Sequence, residues 1–271
     1  HIEVLNSLFA TIQDLGRIGY RSLGVPVSGA LDKLSAAYAN ALVGNDPREA
    51  VIEAIGGSIE LRPNRDTIVA VTGAECRVLV DGVDMGMWKP IYLRAGSTLS
   101  ISAPQRGFVV YIAIAGGINI ARVMGSKSTY IRAAFGGYGG RILKPGDSIP
   151  IVPIDADSRW RELAGKFVPS DIRNRILPTD IVELRATKGI HADILEPDLS
   201  KLLRSTYIVS PQSDRMGYRL DGPEIEKAKE LGRLSTTAVD RGYVQVPPDG
   251  LSLIHISEPT RPLYISYAVF C

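Results

Sequence analysis

The chain has 271 residues, 45% hydrophobic and 22% charged, enough for one large or two ordinary domains around real cores. Its 31 Lys and Arg against 29 Asp and Glu leave a formal charge of +2, too near balance to point to nucleic acid or an anionic membrane. The longest uncharged run, Gly107 to Ala121, is broken by Gly116-Gly117 and is shorter than the roughly 20 residues of a spanning helix, so no membrane span is expected. No charged stretch followed by an apolar one lies near His1, so no secretory signal is expected either, and the N-terminus reads as a fragment edge.

In chain order, the first convincing element is a helix: Ser28 is a plausible N-cap, Leu31, Leu34, Tyr38, Ala41 and Leu42 recur at helical spacing, and Gly44 supplies the stop. A second helix is expected just after Pro47. Strands follow over Thr67 to Thr72, Cys76 to Val80 with the Asp81-Gly82 turn, Thr98 to Ser102, and Phe108 to Ala115, and they read as hairpins. Weaker helical patterns occupy Asp157 to Ala164, Asp198 to Arg204 and Glu224 to Leu231. With 27 Gly and 17 Pro between runs rich in Val, Ile, Thr and Tyr, the body is read as mostly β. The polar stretch from Asp155 to Pro178 suggests a subdomain boundary, giving 1–154 and 155–250.

The scarce residues exclude several chemistries. Two cysteines, Cys76 and Cys271, and three histidines, His1, His191 and His255, cannot supply a disulfide framework or a clustered zinc site. A triad hydrolase would have to use His191, which has no nucleophile motif nearby. Arg outnumbers Lys by 22 to 9, and its planar fork of donors suits carboxylate, phosphate or carbamate oxygens, although surface charge alone is the commoner reason for such a bias.

Three stretches could carry function. Residues 11 to 32, TIQDLGRIGYRSLGVPVSGALD, place Gln13, Asp14, Arg17, Ser28 and Asp32 among glycines ahead of the helix, where backbone N–H groups can meet an anion; the alternative is a turn-rich connection whose Asp and Arg simply pair. Residues 124 to 147, MGSKSTYIRAAFGGYGGRILKPGD, hold Ser126, Ser128, Thr129, Arg132 and Arg141 around Gly136-Gly137-Tyr138-Gly139-Gly140. They match neither a P-loop nor a dinucleotide turn, which leaves a carboxylate or carbamate loop or a plain one. In residues 210 to 223, SPQSDRMGYRLDGP, Arg215 and Arg219 could face one anion with Asp214 orienting one of them; otherwise this is an ion-paired turn with Met216, Tyr218 and Leu220 alternating inward.

Together with LVGNDPREAVIEAIGG (Asn45, Glu53), YIAIAGGI and VQVPPDG, these strings resemble, in order and over residues 2 to 250, the biotin-dependent carboxyltransferase, allophanate hydrolase subunit 2 family. That family includes the C subunit of bacterial ATP-dependent 5-oxoprolinase, the matching portion of urea carboxylase, and a regulator that antagonises a sporulation kinase. The resemblance implies a mainly β fold with a cyclophilin-like β-barrel arrangement, a few short helices and two subdomains. It also implies a cytoplasmic protein with two partners, a B subunit similar to allophanate hydrolase subunit 1 and an A subunit.

The leading expectation is a 5-oxoprolinase C subunit, inactive alone, that helps open 5-oxo-L-proline to L-glutamate, with ATP entering through the complex and no cofactor bound by this chain alone. Arg132, Arg141, Arg215 and Arg219 are then the anion binders, and Gln13, Asp14, Ser128 and Asp214 the polar groups that orient substrate or exchange protons. The alternatives are the carboxyltransferase part of a urea carboxylase-type enzyme, whose biotin carrier would lie elsewhere because no Met-Lys pair occurs here, and a non-enzymatic regulatory binding protein. After Gly250 the sequence departs from the family. LSLIHISEPTR looks like a translated sequencing-library adapter, so 251–271 is expected to be a non-native tail and the second subdomain to be cut short.

Overall fold

The computed structural model describes residues 1–177, 181–189, 191–196, 198–231 and 241–247, together with strand backbone at 252–255 and 268–270. The chain divides into two compact units, one of 1–17 and 28–181, the other of 18–27 and 182–271. Residues 155–176 therefore belong with the first unit, where Leu163 and Val168 are buried in its core.

The first unit runs β1 (Ile2–Ser7), β2 (Ala10–Gln13), α1 (Lys33–Leu42), β3 (Val51–Ile55), β4 (Ile59–Pro63), β5 (Thr67–Glu75), β6 (Val78–Val80), β7 (Val83–Asp84), β8 (Pro90–Leu93), β9 (Leu99–Ile101), β10 (Arg106–Ile114), β11 (Ser148–Ile149), α2 (Ala156–Leu163) and α3 (Ser170–Ile176). Two antiparallel sheets result, ordered β11-β1-β4-β9-β6-β7 and β2-β3-β10-β5-β8. Neither ladder returns on itself among the described residues, so the unit is mainly β with few helices but no closed barrel. Of the expected hairpins, the Asp81-Gly82 turn closes one, between β6 and β7. β6 otherwise pairs with β9, and β10 with β3 and β5.

Alternation along the strands separates two cores. Ala10, Ile12, Ile52, Ala54, Val69, Val71, Val110 and Ile112 meet Ile2, Val4, Ile59, Leu61, Leu99 and Ile101 of the other sheet. From the opposite face of the second sheet, Val51, Ile68, Ala70 and Ala113 pack with Ala36, Ala39 and Leu42 of α1. A strand buried on both sides reads as a continuous apolar run. For that reason VIEAI, expected as a helix after Pro47, is instead β3, and the residues before it form a turn.

The cap of α1 also differs from expectation. Asp32 accepts from Leu34 N and Ser35 N, both at 3.0 Å, whereas Ser28 lies four residues earlier, buried, with φ +54. A carboxylate at the residue immediately before the helix reaches the orphan N–H groups; a hydroxyl a turn earlier does not. α2 falls where the periodicity placed it, while α3 lies inside the polar stretch read as a boundary.

The second unit contains α4 (Leu199–Arg204), β12 (Ile208–Val209), β13 (Gly217–Asp221), α5 (Glu226–Leu231), β14 (Tyr243–Gln245), β15 (Ser252–His255) and β16 (Ala268–Phe270). Its sheet is ordered β12-β13-β15-β14-β16, and Ala192, Leu195, Leu199, Ile225, Ala228, Val244 and Val246 form its core. Cys271 lies outside the described residues.

Candidate functional site

In the second sheet of the first unit, Thr11 pairs with Glu53, Glu53 with Tyr111, and Tyr111 with Thr72, one polar row across four adjacent strands. All four are buried. The row holds the approach to α1. Glu53 Oε2 accepts from Leu31 N at 2.8 Å and from the Tyr111 hydroxyl at 3.0 Å, that hydroxyl accepts from Asp32 N at 2.7 Å, and Thr72 Oγ1 donates to Ser35 O at 2.8 Å. Burial, and next the Glu53 charge, push the Tyr111 phenol well above the ordinary tyrosine range, so it remains a donor. Ser35 Oγ also donates to Asp32 Oδ2.

Beyond the end of β2 the chain turns at Asp14, where the first two motifs meet. Asp14 Oδ1 accepts from Ser126 Oγ at 2.7 Å, Ser128 Oγ at 2.5 Å and Gly16 N at 2.8 Å; Oδ2 accepts from Lys127 N at 2.6 Å. Ser128 Oγ in turn accepts from Asp14 N at 3.0 Å. Arg17, 1% exposed, does not pair with Asp14: its Nε donates to Val123 O, its NH2 to Ser128 O, and its guanidinium lies 4.7 Å from the Phe135 ring centroid. Gln13 Nε2 donates to Thr11 Oγ1 and Thr129 O, while its Oε1, like Ser28 Oγ, is buried and has no partner among the described residues.

The glycine run closes over this node. Gly136 and Gly137 have φ +70 and +55, and a Cβ on either would overlap Ser128 O or Thr129 Oγ1. Arg132 is exposed on the short turn Ile131–Ala133, whose base is the mutual pairing of Tyr130 and Phe135. Arg141 pairs with Asp147, whose carboxylate takes its fork through two bonds of 2.7 and 2.8 Å. The Arg141 guanidinium is the first cause, ahead of the Lys144 N–H, that lowers the Asp147 carboxyl from its ordinary value.

Thus Gln13, Asp14 and Ser128 are brought together, and Arg132 stands on the loop that follows. In the second unit Asp214 caps a turn, accepting from Met216 N at 2.8 Å and Gly217 N at 3.3 Å; Arg215 is buried and Arg219 is exposed on β13. Met216 and Leu220 are half-buried and Tyr218 is exposed, so the inward alternation expected there is weak. Sequence reading overlooks Lys127, whose Nζ donates to Glu49 Oε1 and to Ile118 O, each at 2.6 Å. The available signal is its position as the one charge between Arg122 and Arg132, flanked by serines. Among the described residues no group of three or more His, Cys, Asp or Glu could hold a metal ion, and no helix is long and apolar enough to cross a membrane.

The mainly β fold of the chain is the one found in carboxyltransferase domains. The chain belongs to the carboxyltransferase domain, subdomain A and B family, whose sequence profile matches residues 23–261. It is 34% identical over 254 residues to the C subunit of 5-oxoprolinase from Escherichia coli, covering 93% of this chain and 77% of that protein. The Haemophilus influenzae protein of the same name is 33% identical over 249 residues, covering 92% and 77%. Urea amidolyase of Saccharomyces cerevisiae is 34% identical over 236 residues, 85% of this chain but 13% of that protein. The crystal structure of Kluyveromyces lactis urea carboxylase superposes with a TM-score of 0.83 at 27% identity, over 100% of this chain and 25% of that one.

Proposed function

We propose that the chain is the C subunit of an ATP-dependent 5-oxoprolinase, acting with A and B subunits to open 5-oxo-L-proline to L-glutamate. The observation that carries this reading is coverage: the similarity extends over 77% of the E. coli protein's length, against 13% of the yeast urea amidolyase. Lactam opening coupled to ATP needs a grip on the substrate carboxylate and a route for protons. In this reading Arg132 and Arg219, both exposed, offer their forks to carboxylate. Gln13 supplies an unpartnered acceptor. Asp14, Ser128 and Asp214 hold loops through the bonds described above, while Arg141 and Arg215 serve from within their own units. ATP enters through the complex, and the chain alone is expected to be inactive.

The likeness to urea carboxylase favours a second reading, transfer of carboxylate from carboxybiotin carried by another domain to a small amide. Co-expression with A and B homologues separates the two. Glutamate release from 5-oxoproline that requires ATP supports the first; bicarbonate- and biotin-dependent carboxylation without such release would replace it with the second.

A further inference from the structure

Away from the Asp14 node, the end of β5, the loop between β7 and β8, and α3 surround a cavity of about 270 Å³. That is just under the roughly 300–1,000 Å³ of drug-sized pockets and suits a small metabolite. Its apolar part is built by Trp88, Met87 and Leu177 with the Cys76 thiol. Cys76 Sγ lies 3.6 Å from Met87 Sδ, and burial pushes the thiol up to about 12, so it contributes a neutral wall rather than a nucleophile.

Two opposite charges line the same cavity. Arg173 of α3 lines it, with an Nε that is buried and has no acceptor among the described residues. Glu75 ends β5, and its ion pair with Arg106 is a long 4.0 Å contact between side chains that are each more than a third exposed. Arg173 and Glu75 share the lining, and among the described residues they form no ion pair with each other. The planar fork of the Arg173 guanidinium, part of the lining, matches a carboxylate. Asn174 adds an amide to the same lining.

The backbone at this place is unusual. Trp88 has φ +61, a left-handed conformation rare for a bulky residue, and it is held there by its N–H on Val71 O at 2.8 Å and by Val168 N on its carbonyl at 3.0 Å. Such conformations persist where surroundings over-determine them, and they gather at ligand sites.

We propose that this cavity binds a free α-amino acid with an apolar side chain: the carboxylate on Arg173, the ammonium towards Glu75, the side chain against Trp88 and Met87. The assignment does not depend on the 5-oxoprolinase reading, because its test is binding. Calorimetric titration of the full chain with L-methionine, L-leucine and L-phenylalanine should show saturable binding by at least one of them. N-acetyl-L-methionine, which lacks the ammonium, and L-methioninamide, which lacks the carboxylate, should bind at least about tenfold more weakly, as should R173Q and E75Q with the parent amino acid. R173K keeps the charge but loses the fork, and it should also weaken binding, so the outcome survives if R173Q folds poorly. Absence of saturable binding at millimolar amino acid, equal affinity for the blocked forms, or wild-type affinity in folded R173Q or R173K would overturn the proposal.

Discussion

Ser128 and Asp14, 114 residues apart, grip each other twice: the Ser128 hydroxyl donates to the Asp14 carboxylate at 2.5 Å and accepts from the Asp14 N–H at 3.0 Å. The first and second motifs are thereby one object. Asp14→Ala removes the acceptor for four donors and should destabilise the protein by about 3 kcal/mol or more, against about 1–2 kcal/mol for Ser128→Ala. The double variant should fall short of the sum, because both changes open the same network. Urea unfolding of the three variants measures this, and strict additivity would show the network to be mere proximity.

Lys127 and Glu49 make a largely buried ion pair, with side chains 11% and 19% exposed. Glu49→Gln leaves the ammonium with Ile118 O as its partner among the described residues, and should cost about 3 kcal/mol; K127M combined with E49Q should recover part of that loss. Thermal or urea melts of the two single variants and the pair decide it.

The glycine loop offers an internal control. Gly137 and Gly139 both have positive φ, but a Cβ at Gly137 would overlap Thr129, whereas at Gly139 it meets nothing within 4 Å. Gly139→Ala should cost about 1–2 kcal/mol from backbone conformation alone. Gly137→Ala should cost at least about 2 kcal/mol more through overpacking. Equal losses would mean that the loop does not close on Thr129.

Asp147, lowered by Arg141, gives a pH dependence of known sign. A carboxyl whose folded value lies below its unfolded one, near 3.8, contributes stability that is fully present above the unfolded value and lost as pH falls through the folded one. Denaturant midpoints measured from neutral pH downward should fall below about pH 4. The fall should be shallower in Asp147→Asn, in which the acid-side loss has already been taken at every pH.

Cys76 should alkylate slowly in the native protein. Burial holds its thiol protonated far above neutral pH, so iodoacetamide at pH 8 should label it much faster in urea than in buffer. Replacing Cys271 by Ser isolates the signal. Equal rates in the two solvents would mean that the strand end around Cys76 opens freely.

What can be read in advance divides along physical lines. β5, β9 and β10 are visible because β-branched runs bounded by Gly have few other solutions, and α4 and α5 because four-residue spacing survives in polar helices. β3 reads as a helix because burial on both faces erases alternation, and Asp32 loses its role to Ser28 because several capping residues lie within one turn of each other. Gln13, Asp14 and Ser128 stand out by residue type. Their meeting, the locking of Arg141 by Asp147 and the Lys127–Glu49 pair rest on contacts between distant segments that spacing does not encode.

β1 lies between β4 and β11, with Ile2 opposite both Pro63 and Ile149. Because β11 is made some 140 residues after β1, β1 keeps one flank unpaired throughout the synthesis of everything between them. During that interval the open edge is exposed to mispairing with other chains.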